Sequence, residues 1–281
     1  MGVGGKRKMN YTSNFSLIEV TRAQMMAVRR DCNIDMEQLN DDLDMLEKWC
    51  RSQDQLVEAL PYLGRDMLER FLIQAKGSLE RTKQGIDKAL AVRGMIPDIM
   101  LNEKTITNLD KFCNLFDNVL ITSLPKANPE DGTRVILLRL MNENFEDLDL
   151  IECAKFGTFG AYKFKVKGIH VINAPSFFDK LFFIAKGFFP EKMVKRIRVH
   201  GSYEELYEVI SKEILPKEYG GEGMSCSRLV EEWKNYIRSD DGQRIMENSH
   251  RLVSDVSKRN LFKFDEEYFG LPGSFKKINI D

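Results

Sequence analysis

The chain is poor in the residues on which most recognisable chemistry is built. Of 281 residues only three are histidine and two tryptophan, and the five cysteines, Cys32, Cys50, Cys113, Cys153 and Cys226, form no CxxC pair. An odd, unpatterned set reads as reduced thiols in the cytosol, not as a disulfide framework, which leaves the Asn10 and Asn14 sequons without meaning. No apolar run approaches the roughly 18 residues that a membrane-spanning helix needs. The opening MGVGGKRKMN has basic residues with no apolar run behind them, so it does not read as a secretory leader, and Lys6 argues against a myristoylation signal. Neither sign of charge prevails: 42 basic residues meet 43 acidic ones, for a net charge of −1. That balance argues against nucleic acid as the main partner, which would favour a basic domain.

Catalytic motifs are missing too. There is no nucleophile elbow with a Ser-His-Asp order, no HExxH, no P-loop and no strand-linked GxGxxG. Gly2, Gly4 and Gly5 precede no strand, and Gly220, Gly221 and Gly223 lack a following Lys-Ser/Thr. His170 sits within a strand pattern, where a hydrogen-bonded structural imidazole is the ordinary reading. His200 reads as a turn residue or part of a basic cluster, and His250 has no sequence partner. The expectation is a protein that is not an enzyme, with no cofactor and no metal.

What is present is a full-sized core: 43% hydrophobic and 30% charged residues read as globular. Residues 1–14 are glycine-rich and polar, and 1–30 are assigned to a flexible N-terminus. Ile34, Leu39, Leu43, Leu46, Trp49 and Cys50 have helical spacing. Further helices are expected at about 65–74 and 78–93, the last stopped by Gly94 and Pro97, giving a helical module over 31–104. A short helix over 109–120 should lead to Thr133–Leu140, which is nearly all apolar, like a buried strand of a mostly parallel sheet. Helical residues at 146–156 then lead to a strand at 164–173, a strand–helix–strand crossover within an α/β domain over 105–225. A further strand or edge is read at 197–201, helices at 203–212, 227–238 and 241–256, and a C-terminal region over 226–281.

The most informative stretch is 163–200. Phe164 and Val166 alternate with Lys163, Lys165 and Lys167, the signature of a strand with one wet face. Asn173-Ala174-Pro175 ends it, and Ser176 can cap a helix. On that helix Phe178, Phe182, Ala185 and Phe189 share one face, while Phe177, Leu181, Ile184 and Phe188 share the next. So apolar a helix is either a buried core element or one with two partners, the interior or a ligand on one side and a membrane or second protein on the other. From Lys163 to His200 nine Lys/Arg face two acids. Basic residues flanking aromatics are what an anionic lipid surface attracts.

Several runs together resemble one family. Lys165-Val166-Lys167-Gly168-Ile169-His170-Val171-Ile172-Asn173-Ala174-Pro175, the segments from Pro190 to Lys192 and from Arg196 to Gly201, and Glu213-Ile214-Leu215-Pro216-Lys217-Glu218-Tyr219-Gly220-Gly221 are similar to the CRAL-TRIO lipid-binding proteins. Arg70-Phe71-Leu72, Lys76 and Ser78-Leu79-Glu80 look like that family's N-terminal helices, and Gly273-Ser274-Phe275-Lys276-Lys277 like its tails. The resemblance implies an α/β fold in which a helical module precedes a mostly parallel sheet, flanked by helices and enclosing a lipid cavity. It implies a monomeric cytosolic carrier, peripheral to membranes, for one hydrophobic small molecule of retinoid, tocopherol or phospholipid type, with the helix after Pro175 as a mobile lid. Phe164, Val166, Ile169, Phe178, Phe182, Ala185 and Phe189 would line the pocket. Phe177, Leu181, Ile184 and Phe188 would touch the membrane, and Lys76, Lys165, Lys192 and Arg196 would meet phosphoinositide headgroups. Lys192 and Arg196, four apart, would share one helical face. Two departures stand out. Ile73 occupies a position where relatives carry a further arginine, and only about twenty residues join the 140 and 163 strands, where relatives have another strand and helices. The alternative is therefore a phosphoinositide or protein interaction module with a reduced pocket and no cargo.

Overall fold

The computed structural model describes residues 17–95, 109–129, 131–141, 167–173 and 191–259. The first helix, α1 (Arg22–Asp31), lies where the sequence reading placed a flexible terminus. Thr21 starts it: its hydroxyl accepts from the Gln24 amide and Gln24 Oε1 accepts from the Thr21 amide, a reciprocal capping box. In α2 (Leu39–Arg51), Leu39, Leu43, Leu46 and Cys50 recur on one face and are all buried. A single turn at Leu60–Tyr62, with Pro61 near its start, leads into α3 (Arg65–Gln74) and then α4 (Leu79–Met95). Leu68, Phe71 and Leu72 from α3 meet Ile86 and Leu90 from α4 and the α2 face in one helical core. Within it Arg29 donates two hydrogen bonds to Glu69, at 2.6 and 3.0 Å, tying α1 to α3. Burial opposes the charge on both partners, pushing Arg29 down and Glu69 up to about 7, so both bonds are needed to hold the pair in place.

The second core begins with α5 (Leu109–Asn118), which passes without a loop into β1 (Val119–Ser123). The sequence reading carried the helix to Leu120. Val119-Leu120-Ile121-Thr122 is instead a β-branched, apolar run that extends once it has a partner. That partner is β2 (Ile136–Leu140), antiparallel, with Ile121 opposite Leu138 and Val119 opposite Leu140. Here the structure corrects the expectation for 133–140. The strand pairs with its neighbour in sequence and is not fully buried: Ile136, Leu138 and Leu140 are 44%, 65% and 39% exposed. The opposite side of the hairpin, with Leu120 and Thr122 buried, faces the core, while on the outer side Val119 is buried beside Leu140 and Ile121 packs on the core.

A second two-stranded sheet joins β3 (Ile169–Ile172) to β4 (Ile197–His200) in parallel, Ile169 opposite Ile197 and Ile172 opposite His200. The α/β class expected from the sequence stands, with the described sheet in two pieces. Between β3 and β4 the described residues include the short α6 (Glu191–Val194), and α7 (Tyr203–Tyr207) follows with Ser202 as its cap. A turn at Lys217–Tyr219 ends in Gly220 at φ +67°. Gly221 comes so close to Leu215 that a Cβ there would lie 2.1 Å from the Leu215 carbonyl oxygen. α8 (Cys226–Arg238) starts where both Glu218 carboxylate oxygens accept the Cys226 N–H, at 2.8 and 2.9 Å. Ser239 ends α8 and caps α9 (Asp240–Arg251). Phe116, Leu120, Leu206, Leu215, Leu229, Ile237 and Met246 make this core, and the Trp233 indole N–H donates to Thr122 Oγ1 across it.

After α9 the chain returns to the helical module. Leu252 is buried in that first core, and the Ser254 and Asp255 amides donate to the Leu90 and Gln55 carbonyls. Arg93 donates to the Leu252 carbonyl at 2.8 Å and to the Ser249 carbonyl at 2.5 Å, satisfying groups that the end of α9 leaves open. Arg259 grips the Asp87 carboxylate through two nitrogens, at 2.5 and 3.0 Å. Among the described residues no helix is long and apolar enough to cross a membrane.

Candidate functional site

Two features of the α/β portion face outward and bear on the expected chemistry. One is the uncovered side of the β1–β2 hairpin. Opposed residues in an antiparallel pair share a face, so Ile136, Leu138 and Leu140 form an exposed apolar row beside half-buried Ile121 and buried Val119, while Leu137 and Arg139 turn the other way. Arg139 is fixed on the core side, its guanidinium 5.3 Å from the centre of the Tyr219 ring. Burial raises the Tyr219 hydroxyl against the pull of that guanidinium, so Tyr219 stays a neutral partner.

The other feature is the leading end of the β3–β4 pair. The Ile169 amide donates to the Arg196 carbonyl at 2.9 Å, which brings Lys167 and Gly168 to the same end as Lys195 and Arg196. One register step on, His170 faces Arg198. Lys167, Lys195 and Arg198 are exposed and Arg196 is half-buried. Asp131 lies 3.4 Å from Lys167, and Glu191 is 2.6 Å from Lys195. Burial works against the Asp131 charge, but bonds from the Thr133 hydroxyl and amide, with Lys167 nearby, hold its carboxyl below the usual range.

Behind this edge two histidines meet. His170 Nδ1 lies 2.9 Å from His200 Nε2, with the rings stacked at 5.1 Å between centres. His200 is buried, and its other nitrogen, Nδ1, is 4.0 Å from Glu205 Oε2, which itself accepts the Gly201 amide at 2.9 Å. Burial, then His200, then Arg198 push the His170 imidazole down. At the far end of β3, Asn173 at φ +53° donates through Nδ2 to the Tyr203 hydroxyl.

Of the residues expected to line a pocket, Ile169 is placed, half-buried in β3. Phe164, Val166, Phe178, Phe182, Ala185 and Phe189 lie outside the described residues, as do the membrane-facing Phe177, Leu181, Ile184 and Phe188 and the basic Lys165. Lys76 is exposed on the turn after α3, at φ +54°, in the helical module, whereas Arg196 belongs to the β3–β4 edge. The backbone of Lys192 is in α6, but that helix ends at Val194, so the shared helical face expected for Lys192 and Arg196 stops short of Arg196. The open hairpin face was missed because an all-apolar strand was read as buried on both sides. Its signal was there all the same, since Ile136, Leu138 and Leu140 alternate with Leu137 and Arg139.

Residues 159–221, which contain β3, α6, β4 and α7, match the family model described as the CRAL/TRIO domain. The stretch is thus similar to CRAL/TRIO sequence. Among curated proteins, the human alpha-tocopherol transfer protein-like protein is 35% identical over 89 residues, 28% of this chain and 26% of that protein. Mouse clavesin-2 is 34% identical over 115 residues, 39% of this chain and 35% of that protein. Rat clavesin-1 is 32% identical over 73 residues, or 26% and 21% of the two lengths. The matches thus span about a fifth to a third of these relatives. The matched segment holds both the basic edge and the histidine pair, while the open hairpin precedes it.

Proposed function

We propose that the protein carries one hydrophobic molecule, of retinoid, tocopherol or phospholipid type, against its apolar sheet face, and docks on phosphoinositide-bearing membranes to load and release it. The observation that carries the first half is the row Ile136, Leu138, Leu140, apolar and exposed on a sheet whose other side is a packed core. A sheet face of this kind needs an apolar occupant. Covering about 400 Å² of such an occupant contributes about 10 kcal/mol at 25 cal/mol/Å², before ordering costs. Relatives named for tocopherol transfer and the CRAL/TRIO match support the same reading.

The docking half is supported by Lys167, Lys195, Arg196 and Arg198 at one end of the β3–β4 pair. Lys76, Lys165 and Lys192 complete the proposed cationic set. Phe177, Leu181, Ile184 and Phe188 are proposed as the membrane-inserting side chains, and Phe178, Phe182, Ala185 and Phe189 as the ligand's cover. The carrier is proposed to act as a monomer, peripheral to membranes in the cytosol. The test is transfer of α-tocopherol, retinal or a fluorescent phospholipid from donor to acceptor vesicles containing phosphoinositide. Saturable transfer of at least one supports the carrier. Vesicle binding without transfer favours an interaction module with a reduced pocket.

A further inference from the structure

The pairing of His170 with His200 is not used by the carrier reading, and its geometry assigns it a task. Each ring places one nitrogen against the other ring, 2.9 Å apart. The Glu205 carboxylate faces His200 Nδ1, favouring a proton on that atom and leaving Nε2 as an acceptor. His170 Nδ1–H then fills that acceptor, and the lone pair remaining to the couple is on His170 Nε2, the nitrogen packed against Gly168. One proton can therefore be added, at His170 Nε2, without breaking the contact. A second would set two N–H groups against each other and two positive charges side by side.

Among the described residues, each element packed on the couple brings charged or titratable groups. β4 supplies Arg198, opposite His170, and His200 itself. α7 supplies Glu205, and Tyr203 through its bond to Asn173. The residues leading into β3 supply Lys167, which is held by Asp131. A proton on His170 thus adds a positive charge beside Arg198, among cations that the unliganded protein holds close together. Those cations resist the proton while the edge is empty. An anion lying on the edge would cancel their resistance, and by linkage the proton would strengthen the hold on the anion by the same factor.

We propose that His170, held through Nδ1 by His200, takes up a proton at Nε2 and thereby tightens the grip of the β3–β4 edge on phosphate-bearing lipid headgroups as the pH falls. The proposal rests on the docking reading above, and its test separates the two. Vesicles containing phosphatidylglycerol, whose phosphodiester keeps its charge between pH 7.5 and 5.5, are sedimented with the full chain at both pH values, with phosphatidylcholine vesicles as blank. The expected result is binding about fivefold tighter at pH 5.5, the effect of about one added charge near an anionic surface. His170→Gln, which can still hydrogen-bond His200, should hold the weaker affinity at both pH values. By the same linkage, the NMR titration of the His170 imidazole should move to higher pH when phosphatidylglycerol vesicles are added.

Failure to bind phosphatidylglycerol vesicles at either pH overturns the linkage, and failure to bind phosphoinositide vesicles as well overturns the docking reading with it. Binding that is pH-independent, or that tightens equally in His170→Gln, overturns the linkage alone and leaves docking standing. A His170 imidazole whose titration is the same with and without phosphatidylglycerol vesicles also overturns it, whether or not any variant folds.

Discussion

The helical core around Leu43, Leu46 and Leu72 and the hairpin of β1 and β2 are built from the same kinds of side chain and bury them to opposite extents. In the first, the faces that hold Leu43, Leu46 and Leu72 meet one another, and the buried charged groups Arg29 and Arg93 are matched by Glu69 and by carbonyls at the end of α9. In the second, one face packs on α8 through Leu120 and Thr122 while the other presents Leu138 to solvent. Fully opposed apolar surface gives stability, whereas unopposed apolar surface gives a place to bind. Interior mutations should therefore unfold the first region, and mutations on the hairpin's outer face should alter activity at little structural cost.

The sharpest way to break the contrast is to remove one partner of the buried ion pair. Glu69→Ala leaves Arg29 charged and enclosed, and should cost about 3–5 kcal/mol in urea unfolding. A loss under 1 kcal/mol would mean that the helical core is wetter than its burial implies. Leu72→Ala should cost about 2–5 kcal/mol by cavity formation, since Leu72 has no exposed surface. In the α/β region, Glu218→Ala removes the carboxylate that caps α8 and should cost about 1 kcal/mol. Burial pushes the Glu218 carboxyl up, yet hydrogen bonds, that from the Cys226 amide foremost, bring it below its ordinary value. Its contribution is therefore present above the unfolded carboxylate range and is lost as acid protonates it, so the wild type and Glu218→Ala should converge in melting temperature towards low pH. The smallest structural effect is expected from Leu138→Ser, within about 0.5 kcal/mol of the wild type, with a clear drop in vesicle-to-vesicle transfer. Equal loss of stability in Leu138→Ser and Leu72→Ala would erase the distinction between the two regions.

His170 allows the comparison to be read by pH alone. Its imidazole is pushed down in the folded protein, so the unfolded chain takes up the proton first. The stability contributed by the neutral ring is complete above about pH 6.5 and is lost as the pH falls towards the folded value. Thermal unfolding of the wild type between pH 7.5 and 5.5 should show this loss, and His170→Gln should lack that part of it.

Local patterns made much of this fold legible in the sequence. The α3 span was read as 65–74 and is Arg65–Gln74, because its apolar spacing and flanking turns agree. The α2 face was legible for the same reason. α1 was passed over although Thr21 and Gln24 stand at capping-box spacing, a signal that carries weight even before a helix with few apolar residues. The exit from α5 was misread because 109–120 is helical in pattern throughout. Pairing with 136–140, decided by residues far along the chain, converts its last part to strand. At the candidate site, the positive charge of the β3–β4 edge was visible by counting. That Lys167 lies at the same end as Lys195, and that His170 reaches His200, depends on a parallel register thirty residues apart, which no local pattern encodes. The alternation in β2 was visible, but which of its faces would be left open was decided by the packing of α8 behind the hairpin.

The return of Leu252, Ser254 and Arg259 to the helices near the start of the chain has a consequence for biosynthesis. The early helices emerge from the ribosome well before the residues that finish their interior, so they must wait, incompletely sealed, while more than a hundred intervening residues are made. The sheet region is thereby enclosed between two parts of one structural unit, like an insertion, and a nascent chain stopped before Leu252 would expose the apolar site that this residue normally fills.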